Sequence, residues 1–178
     1  MKVIDVLKDD AHYGFTELTK ALEGVTEKQS WAVLPNLGHD YLHTDGSIHG
    51  LVFHLAGVKK LYGSICFRNT EYRWRDLYED VLAIEPNWEK AVAFHNDAHE
   101  YWMASWDNLT DDDLLAMRPT NWQSGDRAAI EVIRTMNQHD SYHAGQIAMI
   151  RYGVGESDVV PPSSAADILQ YCRESPHW

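Results

Sequence analysis

Cysteine is nearly absent from this chain: two residues, Cys66 and Cys172, among 178. They lie far apart and form no CxxC arrangement, which argues against a disulfide framework and suggests reduced thiols in a cytoplasmic protein. Positive charge is also scarce, with 15 Lys and Arg against 27 Asp and Glu, a net charge of −12. Phosphate binding needs clustered Lys and Arg, so neither nucleic acid nor an anionic membrane is expected as the main partner. No apolar run approaches the ~20 residues that a membrane span requires. The opening "MKVIDVLKDD" lacks a long apolar stretch, so no signal peptide is expected. Alternating β-branched runs are missing as well, and no sheet is predicted. What the chain does have is aromatic and imidazole side chains: seven Trp, nine Tyr and ten His.

Four segments show helical periodicity. The first carries Ile4, Leu7, Ala11, Phe15, Leu18 and Leu22 at spacings of three and four and ends near Gly24. The second starts from a cap at Asp45 or Ser47 and runs through Leu51, Leu55, Val58, Tyr62 and Ile65. The third follows Pro86, with Trp88, Ala91, His95, His99, Trp102 and Trp106 on one stripe. The fourth begins around Ser124–Asp126, carries Ala129, Val132, Met136, His139, His143, Ile147 and Ile150, and closes at Gly153. These lengths predict an all-α four-helix bundle. A single domain is expected over 1–178, its core about 1–155 and its extension 156–178. The connections Val25–Thr44 and Phe67–Glu85 are long, and a short final helix is expected from Ala165 to Cys172.

Three histidine pairs repeat a spacing of four: His39/His43, His95/His99 and His139/His143. Residues four apart lie on one helical face, so their imidazoles can converge on one ion. His39 and His43 sit among Pro, Gly and Asn, where sustained helix is not expected; a polar loop is the reading there. His95 and His99 interrupt the apolar stripe of the third helix. They read as half-buried side chains bonded to others, or as a pocket wall or further ligand. His139 and His143 interrupt the last stripe, in "HDSYHAGQI", where two imidazoles are costly unless partnered. A metal would resolve that cost, and a third ligand is then required from a facing helix. His54, on the inward side of the second helix in "LVFHLAGV", is the best candidate. Three nitrogen ligands would leave coordination positions open, the mark of a catalytic site. Asp140 stands where zinc peptidases of the HExxH type have Glu. It is one methylene shorter, and reads instead as bonding to another helix or to solvent.

"SIHGLVFHLAGVKKLYG" followed much later by "HDSYHAGQIAMIRYGVG" resembles the DinB-like (DinB/YfiT) superfamily of bacterial four-helix proteins. "ALEGVTEKQSWAVLP" and "LTDDDL" fit the same pattern, and the resemblance spans about residues 1–155. It implies an up-down-down-up bundle, a metal such as zinc or nickel held by His54, His139 and His143, and often a homodimer. It also implies a metal-dependent enzyme acting on a small molecule, of the S-transferase type that uses a low-molecular-weight thiol such as bacillithiol. A metal-dependent hydrolase and a non-enzymatic metal- or ligand-binding module are the alternatives. Under the hydrolase reading Asp140, His95 or His99 would have to serve as base. Gly145 is expected to let the last helix approach another closely. Gln146 is expected either to orient a ligand imidazole or to bond between helices. Arg68, Arg73 and Arg75, with Tyr72 and Trp74, would cover the pocket and hold an anionic group, or simply form ordinary charge pairs.

Overall fold

A computed structural model describes residues 2–33, 44–84, 86–121 and 125–153. Four long helices carry the architecture: α1 (Val3–Leu22), α3 (Ile48–Phe67), α5 (Trp88–Trp106) and α6 (Ala129–Gly153). Their starts follow the sequence signals. Ser47 caps α3, its hydroxyl accepting from Gly50 N–H at 2.9 Å, and Asp45 in turn accepts from Ser47. Asn87 caps α5 by accepting from Lys90 N–H. α1 stops where Gly24 takes φ +72°.

The connections hold more structure than periodicity predicts. A one-turn helix α2 (Glu27–Ser30) follows α1, closed by a reciprocal Thr26–Gln29 capping box. The Phe67–Glu85 connection contains a further helix, α4 (Trp74–Ile84). A 3-10 turn (Asp111–Leu115) leads into β1 (Met117–Arg118), which pairs antiparallel with β2 (Arg127–Ala128). This small ladder delays the fourth long helix to Ala129, past the expected start around Ser124–Asp126. His39, His43 and the expected helix from Ala165 to Cys172 lie outside the described residues.

Cross-helix contacts fix the topology. α3 and α5 run parallel, since their partners advance together: His49 with Trp88, Phe53 with Phe94, Phe67 with Trp102. α1 and α6 are parallel too, through Leu7 with Asn137, Gly14 with Ser141, and Ala21 with Arg151. α1 opposes α5, with Lys8 on Asp107 and Phe15 on His95. The order is therefore up-down-down-up, and α4 lies in the long crossover that two parallel neighbours require. Among the described residues, no helix is long and apolar enough to cross a membrane.

The core is in two parts. One cluster gathers Leu18, Leu22, Trp31, Leu51, Leu55, Trp88, Ala98, Ile147 and Ile150. The other gathers Ile4, Leu7, Ala11, Cys66, Trp102, Trp106, Val132, Ile133 and Met136. Each buried Leu or Ile contributes about 1.5–3 kcal/mol. Between the clusters, where each stripe should continue apolar, buried polar groups intrude instead: Lys59 from α3, His95 and His99 from α5, and Asn137, Asp140 and His143 from α6. The bundle therefore has a polar waist.

Candidate metal centre

At one edge of this waist α3 faces α6 in antiparallel register, bringing His54 against His139 and His143. The three Nε2 atoms converge: His54 to His139 is 3.1 Å, and His143 to His139 is 3.0 Å. They form the one group of His, Cys, Asp and Glu side chains among the described residues whose ligand atoms are close enough to share an ion. His143 is buried; His54 and His139 are half-buried, so the cluster is reached from outside.

The other nitrogen of His143 is occupied. Its Nδ1 lies 2.6 Å from Gln146 Oε1, and Gln146 Nε2 donates to the Tyr142 hydroxyl at 3.1 Å. Gln146 therefore bonds an imidazole one turn away on its own helix. With Nδ1–H donating to Gln146, His143 Nε2 carries a bare lone pair. His139 Nε2 then stands between two other Nε2 atoms. It either donates one proton or accepts one, so at most one of the two nitrogen contacts is a hydrogen bond. A shared cation satisfies all three lone pairs at once. The spacing fits as well: ligands about 2.0–2.1 Å from one ion stand roughly 3.3 Å apart at tetrahedral angles, and less at right angles.

Electrostatics keep these rings ready to bind. Burial, with the nearby charges of His143 and Lys59 adding to it, pushes His139 down to about 3. Burial likewise lowers His143 to about 4, against the opposing bond to Gln146. Both are neutral at pH 7, the form that binds metal.

The other histidines do not join the cluster. His95 and His99 are 0% and 5% exposed. His95 Nε2 lies 3.4 Å from Lys59 Nζ, while His99 stacks on the Phe15 ring at 3.7 Å. His95 is thus bonded to another side chain, as expected, but buried rather than half-buried; His99 is not, since neither of its nitrogens has a hydrogen-bond partner among the described residues. His49 is a buried histidine that the spacing did not single out; it stacks on Trp31 and meets Ser30 at 3.1 Å.

Asp140 bonds to another helix, the first of its two readings, whereas Gly145 departs from its expected role. Asp140 forms an ion pair with Lys59 across the helices at 2.9 Å, with 1% and 4% of the two side chains exposed. The fourfold series Leu51, Leu55, Lys59 was the sequence signal for this buried lysine. Gly145 packs against nothing: an added Cβ there would meet no atom of the described residues within 4 Å. Close approach belongs to Gly14 of α1, where a Cβ would stand 3.0 Å from the Asn137 carbonyl of α6. As for the segment read as a pocket cover, Arg68 pairs with Glu71 and stacks on Tyr101, and Arg75 pairs with Glu79. The Tyr72 hydroxyl donates to Asp80. These are the ordinary charge pairs of the second reading.

No curated protein and no solved structure matches the chain. A family model, that of the DinB superfamily, matches residues 15–147, a stretch that begins in α1 and includes all three converging histidines. With its up-down-down-up helices and a histidine group able to hold a metal ion, the chain belongs to the DinB superfamily.

Proposed function

We propose that His54, His139 and His143 hold a divalent transition metal, zinc or nickel, and that the chain is a metal-dependent S-transferase using a low-molecular-weight thiol such as bacillithiol. The convergence of three Nε2 atoms, with His143 Nδ1 tied to Gln146, carries this reading. A bound metal supplies the Lewis acidity that favours a thiolate over a thiol at neutral pH. The chain's own residues do the rest. Three protein ligands leave positions open for a small molecule. Gln146 fixes the tautomer of His143, and the Tyr142 hydroxyl holds Gln146 in place. The net charge of −12 disfavours a nucleic-acid substrate. We take the working form to be a cytoplasmic homodimer, as the family resemblance implies.

A hydrolase is the weaker reading, because it needs a general base beside the metal. Asp140 is committed to Lys59, and His95 is fully buried. A non-enzymatic binding module would hold the metal without turnover. The test is elemental analysis of the purified protein beside its His143→Ala and His43→Ala variants, followed by a bacillithiol assay with a model electrophile. His143→Ala should lose most of the metal and His43→Ala should keep it; equal retention sinks the ligand assignment. Metal-loaded protein should accelerate loss of the thiol over metal-free protein. Metal retention without acceleration across several thiols removes the S-transferase and leaves the hydrolase and the binding module.

A further inference from the structure

The cluster spans the seam between α3 and α6, which is not where either helix packs most extensively. α3 packs chiefly on α5, and α6 chiefly on α1. An ion held by ligands from both sides needs their separation, rotation and register to be set by something other than these larger interfaces. Across the same seam runs the Lys59–Asp140 ion pair, the one pair among the described residues with both side chains buried. Lys59 follows His54 by five residues, about 7.5 Å along α3 at ~1.5 Å per residue. Asp140 directly follows His139.

We propose that Lys59 and Asp140 form a positioning clamp that sets His54 against His139 and His143, so that neither touches the metal yet both determine how tightly it is held. This rests on the metal site proposed above.

The clamp is built to hold one geometry. In the antiparallel register His54 meets His143 while Lys59 meets Asp140, giving two cross-links at different heights on the same pair of helices. Sliding or rolling α6 against α3 would break both together. Each charged group is also confined from other sides. The Lys59 ammonium sits 4.9 Å from the centre of the Phe15 ring and 3.4 Å from His95 Nε2. Asp140 is backed by Gly14, where even a Cβ would come within 3.4 Å of the Asp140 Cβ. A buried ion pair is a weak source of stability compared with apolar residues of the same volume, but it tolerates little misalignment. A core that spends a lysine and an aspartate beside a ligand histidine gains register.

The test measures zinc affinity by competition with a chromophoric chelator, together with the visible spectrum of the cobalt-substituted protein. The variants are Asp140→Asn, Lys59→Met and the double Lys59→Met/Asp140→Leu, with Cys66→Ala in the far cluster as control. Far-UV circular dichroism establishes that each is folded. Removing a group that orients metal ligands typically weakens binding about 10–100-fold. Both single variants should therefore bind zinc at least about tenfold more weakly and shift the cobalt bands. Cys66→Ala should lower the melting temperature and leave both readouts in place. If a single variant fails to fold, the double variant decides, because it leaves no uncompensated charge; the same weakening is expected. Unchanged affinity and spectrum in the folded variants overturn the clamp, as does an equal loss in Cys66→Ala. If the wild-type chain itself binds no zinc or cobalt, the metal site falls and the clamp with it, an outcome distinct from a site that binds but ignores the clamp.

Discussion

Replacing His99 by Leu should make the protein less sensitive to acid, and the size of the effect follows from the site's burial. The His99 ring is 5% exposed and neither nitrogen has a partner among the described residues. Burial, reinforced by the charges of Lys59 and His12, lowers its pKa from 6.5 to about 3. The native ring therefore stays neutral as pH falls, while the unfolded one takes up a proton below about 6.5. Stability is full above that value and drains away toward pH 3. Between pH 7.5 and 5.5 one such histidine costs about 1.4 kcal/mol. His49, His95, His139 and His143 are lowered in the same sense by burial. All act in the same direction on a whole-domain stability of only roughly 5–15 kcal/mol. At pH 7.5 the Leu variant loses a stacked ring, about 0.5–1.5 kcal/mol. It also loses unpartnered polar atoms, a gain of about 1–3 kcal/mol. The net change there is between neutral and modestly stabilising. At pH 5.5 the variant should gain a further ~1.4 kcal/mol over wild type. Urea unfolding followed by circular dichroism, with chelator present at both pH values, measures it. A difference between variant and wild type that does not change with pH would refute the reasoning.

Two further outcomes follow from the packing. Gly14→Ala pushes a Cβ against the Asn137 carbonyl at 3.0 Å and should destabilise by about 1–3 kcal/mol, whereas Gly145→Ala meets nothing and should stabilise by up to ~1 kcal/mol. Thermal melts of the two variants check both signs, and a destabilised Gly145→Ala would contradict the open surroundings of that position. The Cys66 thiol is 3% exposed and burial pushes it up to about 12. In a Cys172→Ser variant the remaining thiol should resist Ellman's reagent at pH 8 until the protein is unfolded; rapid labelling of the folded protein would refute this.

The four long helices were legible because their stripes are long and their caps conventional: Ser47 and Asn87 act as such residues should. The helix α4 was missed because the chain around it reads as a charged connection, only Leu77 and Val81 of that helix being buried. The β1–β2 ladder involves two residues a side, too few for any alternation to register. In the site, His139 and His143 were legible as imidazoles in an apolar stripe, and His54 as the inward residue of a facing helix. Lys59 was not, since a lysine beside a second lysine in "GVKKLYG" reads as a solvated face. The fourfold series Leu51, Leu55, Lys59 sets it apart from Lys60, and the packing agrees: the first ends at a buried carboxylate, while the second reaches the half-exposed Asp80. Gly145 was misread for the opposite reason. Glycine in a helix suggests close approach, but that suggestion applied to Gly14, on the other helix of the same interface.

The polar waist explains why the site is where it is. A bundle whose stripes ran apolar throughout would press α3 onto α6 along their whole length, and the shared ion would have to compete with that packing. Here the two apolar clusters stabilise the ends, and the waist between them carries the groups that an apolar seam would exclude. His139, whose Nδ1 has no hydrogen-bond partner among the described residues, and His99, neither of whose nitrogens has one there, cost stability where they stand. A domain held only by its waist would not tolerate that cost; one held at both ends does. The same division separates roles by residue. Substitutions in the clusters, such as at Cys66, should change melting temperature and leave metal binding alone. Substitutions at Lys59 or Asp140 should do more to metal binding than their burial alone would suggest. The ratio of those two effects, measured residue by residue along α3 and α6, would draw the boundary of the site without reference to any substrate.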